Sequence, residues 1–500
     1  MPTNSVFRSM SIRRCLVVLF ALSLAFALKV SPLAAQDPIS ETERMVDQGR
    51  FREAMASLDR EDAPESRGEK ERLREIMRRS RLEFPFSEAE VAEKVRVKLP
   101  DATDAQIEAW TESGTLESRV FDGERRYFKY AVPNLFRLAP ELKVNNPKSG
   151  RWEWLSRLIA ESQGDGALFH PVRATFVFSL EVPADTVPDG ATVRCWMPVP
   201  HEGLEVQDSI EIQESDPDPV RRSDPSEPHS YLCMERKARA GEPVRFFTRF
   251  QYVSHARWYS QGYLKAHALP YDTDSELYRK YTAERPPHIL KTERFQKLAR
   301  EIVQGEENPV EKASLLFNWV DANVTWASSN EYGTMVSISE NVLDHGRGDC
   351  GMKALLYISL LRCVGIPARW ESGWLCGGGG NMHDWLNIYY EGIGWVPCDI
   401  SFGRGPNPDG PEGSFYKAGR DPLRLIVNSD YGGEFTPRKI HYRSEPVDFQ
   451  RGEVEWFMDG SDTREVSGSG LEDAPRSGNL YFPEWNRDIE ASYEVLNPET

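Results

Sequence analysis

Five hundred residues, 40% hydrophobic and 28% charged, give room for about two to four globular domains and exclude a chain that crosses a membrane many times. A formal net charge of −17 argues against nucleic acid or an anionic membrane surface as partner, since both call for a basic footprint. Seven cysteines are far too few for a disulfide scaffold, so a hydrophobic core must hold the fold.

The chain opens with Arg8, Arg13 and Arg14 ahead of an apolar run from Cys15 to Leu28, followed by Pro32-Leu33-Ala34-Ala35. That is the order of a secretory signal peptide over residues 1–35, with a run too short for a comfortable span. Cleavage after Ala35 would leave a secreted or periplasmic protein with no further membrane contact. Residues 36–165 read as mainly helical, with helix-forming composition over Thr42 to Leu58 and Glu69 to Arg81. A hairpin is signalled by Asp122-Gly123 between alternating apolar residues. Over residues 166–262 the period changes to two: Ala174, Phe176, Phe178, Leu180 and Val182 alternate, as do Val244, Phe246, Thr248, Phe250 and Tyr252. Long half-buried strands with proline-rich connections predict an antiparallel β-sandwich-like domain.

Residues 263–405 carry the strongest signals. Phe295, Leu298, Ala299, Ile302 and Val303 mark one helix; Asn308 as N-cap with Pro309 in the first turn starts another. Ser337 and Glu340 fit a capping box before a short helix ending at Gly346. Cys350 then opens a periodic run, Ala354, Leu355, Ile358 and Leu361, so it sits in the first turn of a helix, where free N–H groups and the dipole favour a thiolate. The segments from His383 to Tyr390 and from Trp395 to Asp399 flank Glu391-Gly392-Ile393-Gly394 and read as a β-hairpin. With residues 390–394 as its loop, Trp385 falls opposite Asp399 and His383 becomes the diagonal neighbour of that aspartate on the same face. Nucleophile, base and orienter can then be Cys350, His383 and Asp399. Residues 406–500 read as a β-rich, irregular extension.

Gly348-Asp349-Cys350, His383-Asp384-Trp385 and Gly394-Trp395-Val396-Pro397-Cys398-Asp399 resemble the transglutaminase-like superfamily, a papain-like group. The resemblance implies an α+β core, a helix bearing the cysteine against an antiparallel sheet, and a thioester mechanism acting on amide or isopeptide bonds of a protein or peptide, with no cofactor or metal. Two positions depart from the family pattern without replacing a catalytic side chain: Asp384 stands where a small residue is common, and Ile400 where a proline is. A third departure, Cys398 directly before the aspartate, leaves room for a disulfide or a metal.

Other readings stay open on the sequence. Some members of the superfamily are inactive, so the chain can also be read as a binding module for peptide or glycan at the cell surface. Cys376, His383 and Cys398 could form part of a zinc site, although paired C-x-x-C pieces are missing. Cys195 with Cys233, and Cys376 with Cys398, are the disulfide pairings to test. Trp326 and Tyr332 are candidate oxyanion donors beside the Cys350 N–H.

Overall fold

A computed structural model of the chain describes residues 40–60, 65–142, 149–377, 380–405, 407, 410–458 and 476–496; the segment read as a signal peptide lies outside them. The described residues mix helix with antiparallel sheet. Among them, no helix is long and apolar enough to cross a membrane.

The N-terminal region is helical, as its composition predicts, around a core that includes Phe51, Leu73, Trp110, Phe121 and Phe128. The stretch of helix-forming composition from Thr42 to Leu58 forms two helices, Glu41–Asp47 and Phe51–Leu58. Gly49 breaks it: its φ is +74°, and a Cβ there would stand 2.0 Å from the Val120 carbonyl oxygen. Only glycine permits that close approach to the hairpin. The hairpin pairs Ser118–Phe121 with Glu124–Tyr127, and Asp122 and Gly123 both take positive φ, as a two-residue turn of the primed kind requires.

Next come strands β1 (Asp165–Val182), β2 (Thr192–Pro198), β3 (Gln207–Asp216), β4 (Tyr231–Lys237) and β5 (Val244–Tyr259). β5 pairs with β1 and β3 in one sheet, and β2 pairs with β4 in another; Phe176, Phe178, Val193 and Met234 share the core between them. Neither cysteine pairing survives the register. Cys195 lies opposite Met234 and Cys233 opposite Trp196, so strand alternation turns the two thiols to opposite faces. Cys376 bonds the Tyr252 hydroxyl at 3.0 Å, while Cys398 is buried in a different core cluster.

The next part of the chain is built on the helices α1 (Glu293–Val303), α2 (Pro309–Asn323), α3 (Ile338–His345) and α4 (Cys350–Cys363). Their starts obey the capping rules read from sequence. Asn308 Oδ1 accepts from the Val310 and Glu311 amides, and α3 ends at Gly346 with φ +61°; at Ser337 only half of the expected capping box forms, its hydroxyl accepting the Glu340 amide while the Glu340 carboxylate accepts from Arg294. α4 is buried on every side rather than along one stripe, because α1, α2 and α3 pack around it while the sheet covers the rest. That sheet has the order β8 (Gly394–Cys398), β7 (Asn381–Tyr390), β6 (Ala368–Leu375), β9 (Arg424–Asn428), all antiparallel.

The segments after residue 405 complete sheets already begun. β9 adds an edge to the core sheet, β10 (Glu453–Phe457) and β11 (Ser477–Leu480) extend the β2–β4 sheet, and β12 (Asn486–Val495) pairs with β1 over ten residues. Asn428 is a joint between these parts. Its amide nitrogen donates to Ser372 Oγ and to the Phe449 carbonyl, each at 2.8 Å, and its oxygen meets His229 Nδ1 at 2.8 Å, all without solvent exposure. Replacing Asn428 with alanine strands these partners, at about 1–3 kcal/mol for each buried polar group left unpaired. Thermal unfolding of Asn428→Ala should show a clearly lowered midpoint; an unchanged melt would show that the joint carries no stability.

Candidate active site

Cys350 is the first residue of α4, and Asp349 is its N-cap. The Asp349 carboxylate accepts the Met352 amide at 3.2 Å and the Tyr332 hydroxyl at 2.5 Å; that hydroxyl in turn accepts the Gly351 amide at 3.1 Å. Two of the amides a helix start leaves free are thus already used. Cys350 is half-buried and lines a cavity of about 550 Å³, together with Trp326, Tyr332, Asp384, Asp448, Gln450 and Arg451 among others.

Strand alternation decides what faces that cavity. On β7, Leu386, Ile388 and Tyr390 point toward α4 and its core, and Asp384 continues the same face to the start of the helix. Asp384 is 3% exposed. The Cys350 thiol donates to its Oδ2 at 3.4 Å, the Tyr332 hydroxyl lies 3.3 Å from the same oxygen, and Gln450 Nε2 donates to Oδ1 at 2.9 Å. Gln450 also holds the His383 carbonyl at 3.0 Å. Burial, with the Asp349 charge beside it, pushes the Asp384 carboxyl up to about 8.

His383, one residue back, begins the other face. Its Nε2 meets Asp399 Oδ2 at 2.7 Å, and its ring packs 4.9 Å from Phe402 and 5.8 Å from Trp385. The hairpin register is the expected one: Leu386 opposite Cys398 and Asn387 opposite Pro397 put Trp385 across from Asp399. Arg424 on β9, fully buried, sets Nη1 2.7 Å from the same Asp399 oxygen and Nη2 2.8 Å from Asp421 Oδ2. Burial works to raise the Asp399 carboxyl, but the charges of His383 and Arg424 outweigh it and hold it well below the ordinary carboxylate range.

The structure therefore brings His383 together with Asp399 and Cys350 together with Asp384, two pairs joined by the peptide link between residues 383 and 384. The thiol is not activated by the helix start. Burial first, then the Asp384 and Asp349 carboxyls, push it well above its ordinary value. Asp384, which the family pattern passes over as harmless, is thus in contact with the Cys350 sulfur. Gln450 and Arg424 were not foreseen either. Gln450 left no local trace, whereas Arg424 stands inside the apolar run Leu423 to Val427, where a charge needs a buried partner. Tyr332 and Trp326 both line the cavity, with the Tyr332 hydroxyl committed to Asp349 and the Trp326 ring 4.6 Å from the Arg137 guanidinium. The zinc alternative is not assembled: Cys376 is tied to Tyr252 and His383 to Asp399, and no three His, Cys, Asp or Glu side chains gather as ligands among the described residues.

Residues 296–400 match the family model described as the Transglutaminase-like superfamily. Residues 296–400 thus form a transglutaminase-like domain within the chain. Among curated relatives, an uncharacterised protein of Haemophilus influenzae is 26% identical over 164 residues, covering 28% of this chain and 43% of the relative. The uncharacterised protein YebA of Bacillus subtilis is 26% identical over 131 residues, covering 22% and 18%. The chain thus spans less than half the length of either. Among solved structures, a protein described as a candidate cysteine protease from Cytophaga hutchinsonii is 13% identical with a TM-score of 0.41, covering 66% of this chain and 93% of that one. The periplasmic domain of TgpA from Pseudomonas aeruginosa is 14% identical with a TM-score of 0.25, covering 47% and 88%.

The Arg424 cation is what makes a buried, ionised Asp399 affordable, and its removal has a signed consequence. Arg424→Met leaves two buried carboxylates without their cation, at a cost of about 3–5 kcal/mol. Because the folded Asp399 is held low, its stabilising contribution is present above the ordinary carboxylate range and lost as the pH falls through the depressed value. In denaturant unfolding the deficit of Arg424→Met should be largest near neutrality and shrink on acidification; a pH-independent deficit would point to lost packing alone.

Proposed function

We propose that the protein is an exported, cysteine-dependent acyl-transfer enzyme acting on amide or isopeptide bonds of a protein or peptide. The observation that carries this reading is the His383–Asp399 pair. With Nε2 committed to a carboxylate that Arg424 keeps ionised, Nδ1 is left as the proton acceptor of the ring, and the sulfur of Cys350 lies against the very next residue.

In this reading the thiol proton passes to His383 Nδ1 and the sulfur electron pair attacks the carbonyl carbon. His383 returns the proton to the leaving amine, and a thioester remains on Cys350. Water or a second amine then attacks the thioester, with His383 taking its proton, to give hydrolysis or transfer. Asp399 fixes the ring and stabilises its cationic form. The cavity beside Cys350 admits the acyl group, and the Cys350 amide is one available oxyanion donor.

One observation favours a second reading, in which the core is an inactive module that binds peptide or glycan: the thiol hydrogen bond runs to Asp384, a carboxyl that does not activate it. The two readings separate on turnover. Peptide cleavage and ammonia release from protein glutamine, each measured with and without an amine acceptor, should fall by about 10²–10⁴-fold in His383→Ala and to background in Cys350→Ala. Turnover equal to wild type in both variants would sink the enzyme reading, and peptide or glycan binding without turnover in the wild type would establish the other.

A further inference from the structure

Two buried carboxyls flank the peptide link between residues 383 and 384, and they live in opposite surroundings. Asp399 faces the Arg424 guanidinium and the His383 ring. Asp384 faces the Cys350 thiol, the Tyr332 hydroxyl and the Gln450 amide, and no cation pairs with it among the described residues. Of the cations that line the same cavity, Lys129 pairs with Glu83 at 2.8 Å and the Arg487 guanidinium lies over the Trp374 ring. Asp349 stands across the shared Tyr332 hydroxyl, Asp448 and Glu445 lie on the segment that carries Gln450, and Arg451 spends its guanidinium on Glu331 at 2.9 Å and Glu445 at 3.0 Å. The His383 ring is tied to Asp399 through Nε2.

A proton count over the cluster gives the same answer. The Tyr332 hydroxyl has a single hydrogen, and the 2.5 Å contact to Asp349 takes it. The 3.3 Å contact between Tyr332 and Asp384 is then satisfied when the Asp384 carboxyl itself carries a proton. A carboxyl without a cation, bonded to an amide, a hydroxyl and a thiol in a low-dielectric pocket, is stable as the neutral acid at neutral pH; it gives up its own proton before the thiol does, and its charge then opposes a thiolate beside it.

We propose that Asp384 holds the Cys350 thiol in its neutral form in the free protein, so that the nucleophile is generated when His383 takes the proton instead of being stored as a thiolate. In the step concerned the S–H bond breaks, the proton goes to His383 Nδ1, and the sulfur electron pair forms the bond to the carbonyl carbon. Asp384 loses and gains nothing; it sets the free energy at which the S–H bond breaks. It is a positioning residue for the thiol, and this role rests on the reading of Cys350 as nucleophile.

The test reads the thiol directly, without substrate. The rate of Cys350 alkylation by iodoacetamide is followed against pH by peptide mass mapping, with Cys350→Ala as the control for the site. Wild type should alkylate slowly at mildly acid and neutral pH and gain reactivity only above the range of an ordinary free cysteine. Asp384→Asn, which keeps the Gln450 bond, offers the sulfur an N–H and cannot ionise, should alkylate about tenfold faster or more at mildly alkaline pH, where the wild-type Asp384 has lost its proton, the change that a fall of one unit in thiol pKa produces. Asp384→Ser serves as the second variant should the amide disturb folding, and near-UV circular dichroism establishes that each variant is folded. A wild-type thiol already reactive at mildly acid pH, or a folded variant with the wild-type profile, would overturn the proposal. Since alkylation is independent of turnover, loss of the enzyme reading in the activity assays leaves this result standing, and the reverse holds equally.

Discussion

A β-strand sends successive side chains to opposite faces, and β7 uses that alternation to divide the site. Leu386, Ile388 and Tyr390 must enter the core under α4, which fixes the register of β7. A one-residue slip would exchange that apolar set for His383, Trp385 and Asn387, so the same packing that holds the sheet also fixes where His383 and Asp384 point. The placing of these two side chains is a by-product of register.

Two carboxyls with one intrinsic acidity are driven apart by what surrounds them. Arg424 and His383 hold Asp399 low, while burial without a cation pushes Asp384 up to about 8. An anionic orienter and a neutral acid can then occupy adjoining pockets at neutral pH. The Cys350 thiol bonds to the second of these, Asp384, and not to the first.

Much of this was legible from residue order alone. The helix starts at Asn308, Ser337 and Asp349, the Asp122-Gly123 turn and the Trp385–Asp399 register all depend on local capping and turn chemistry, and each appears in the structure where the sequence indicates it. Contacts with no local signature were missed. β12 pairs with β1 across some three hundred positions, and Gln450 reaches Asp384 from a loop whose own sequence announces nothing. Asp384 was visible as a departure from the family pattern, yet its contact with the sulfur follows only from α4 and β7 meeting at their ends.

The core claim, that Cys350 carries an acyl group in a reaction assisted by His383, is tested most directly by trapping the acyl group. Protein treated with p-nitrophenyl acetate and quenched in acid should carry a hydroxylamine-sensitive acetyl group on the peptide containing Cys350, and His383→Ala should form it far more slowly. An acetyl group found on other residues with Cys350 unmodified, or formed equally fast without His383, would contradict the account.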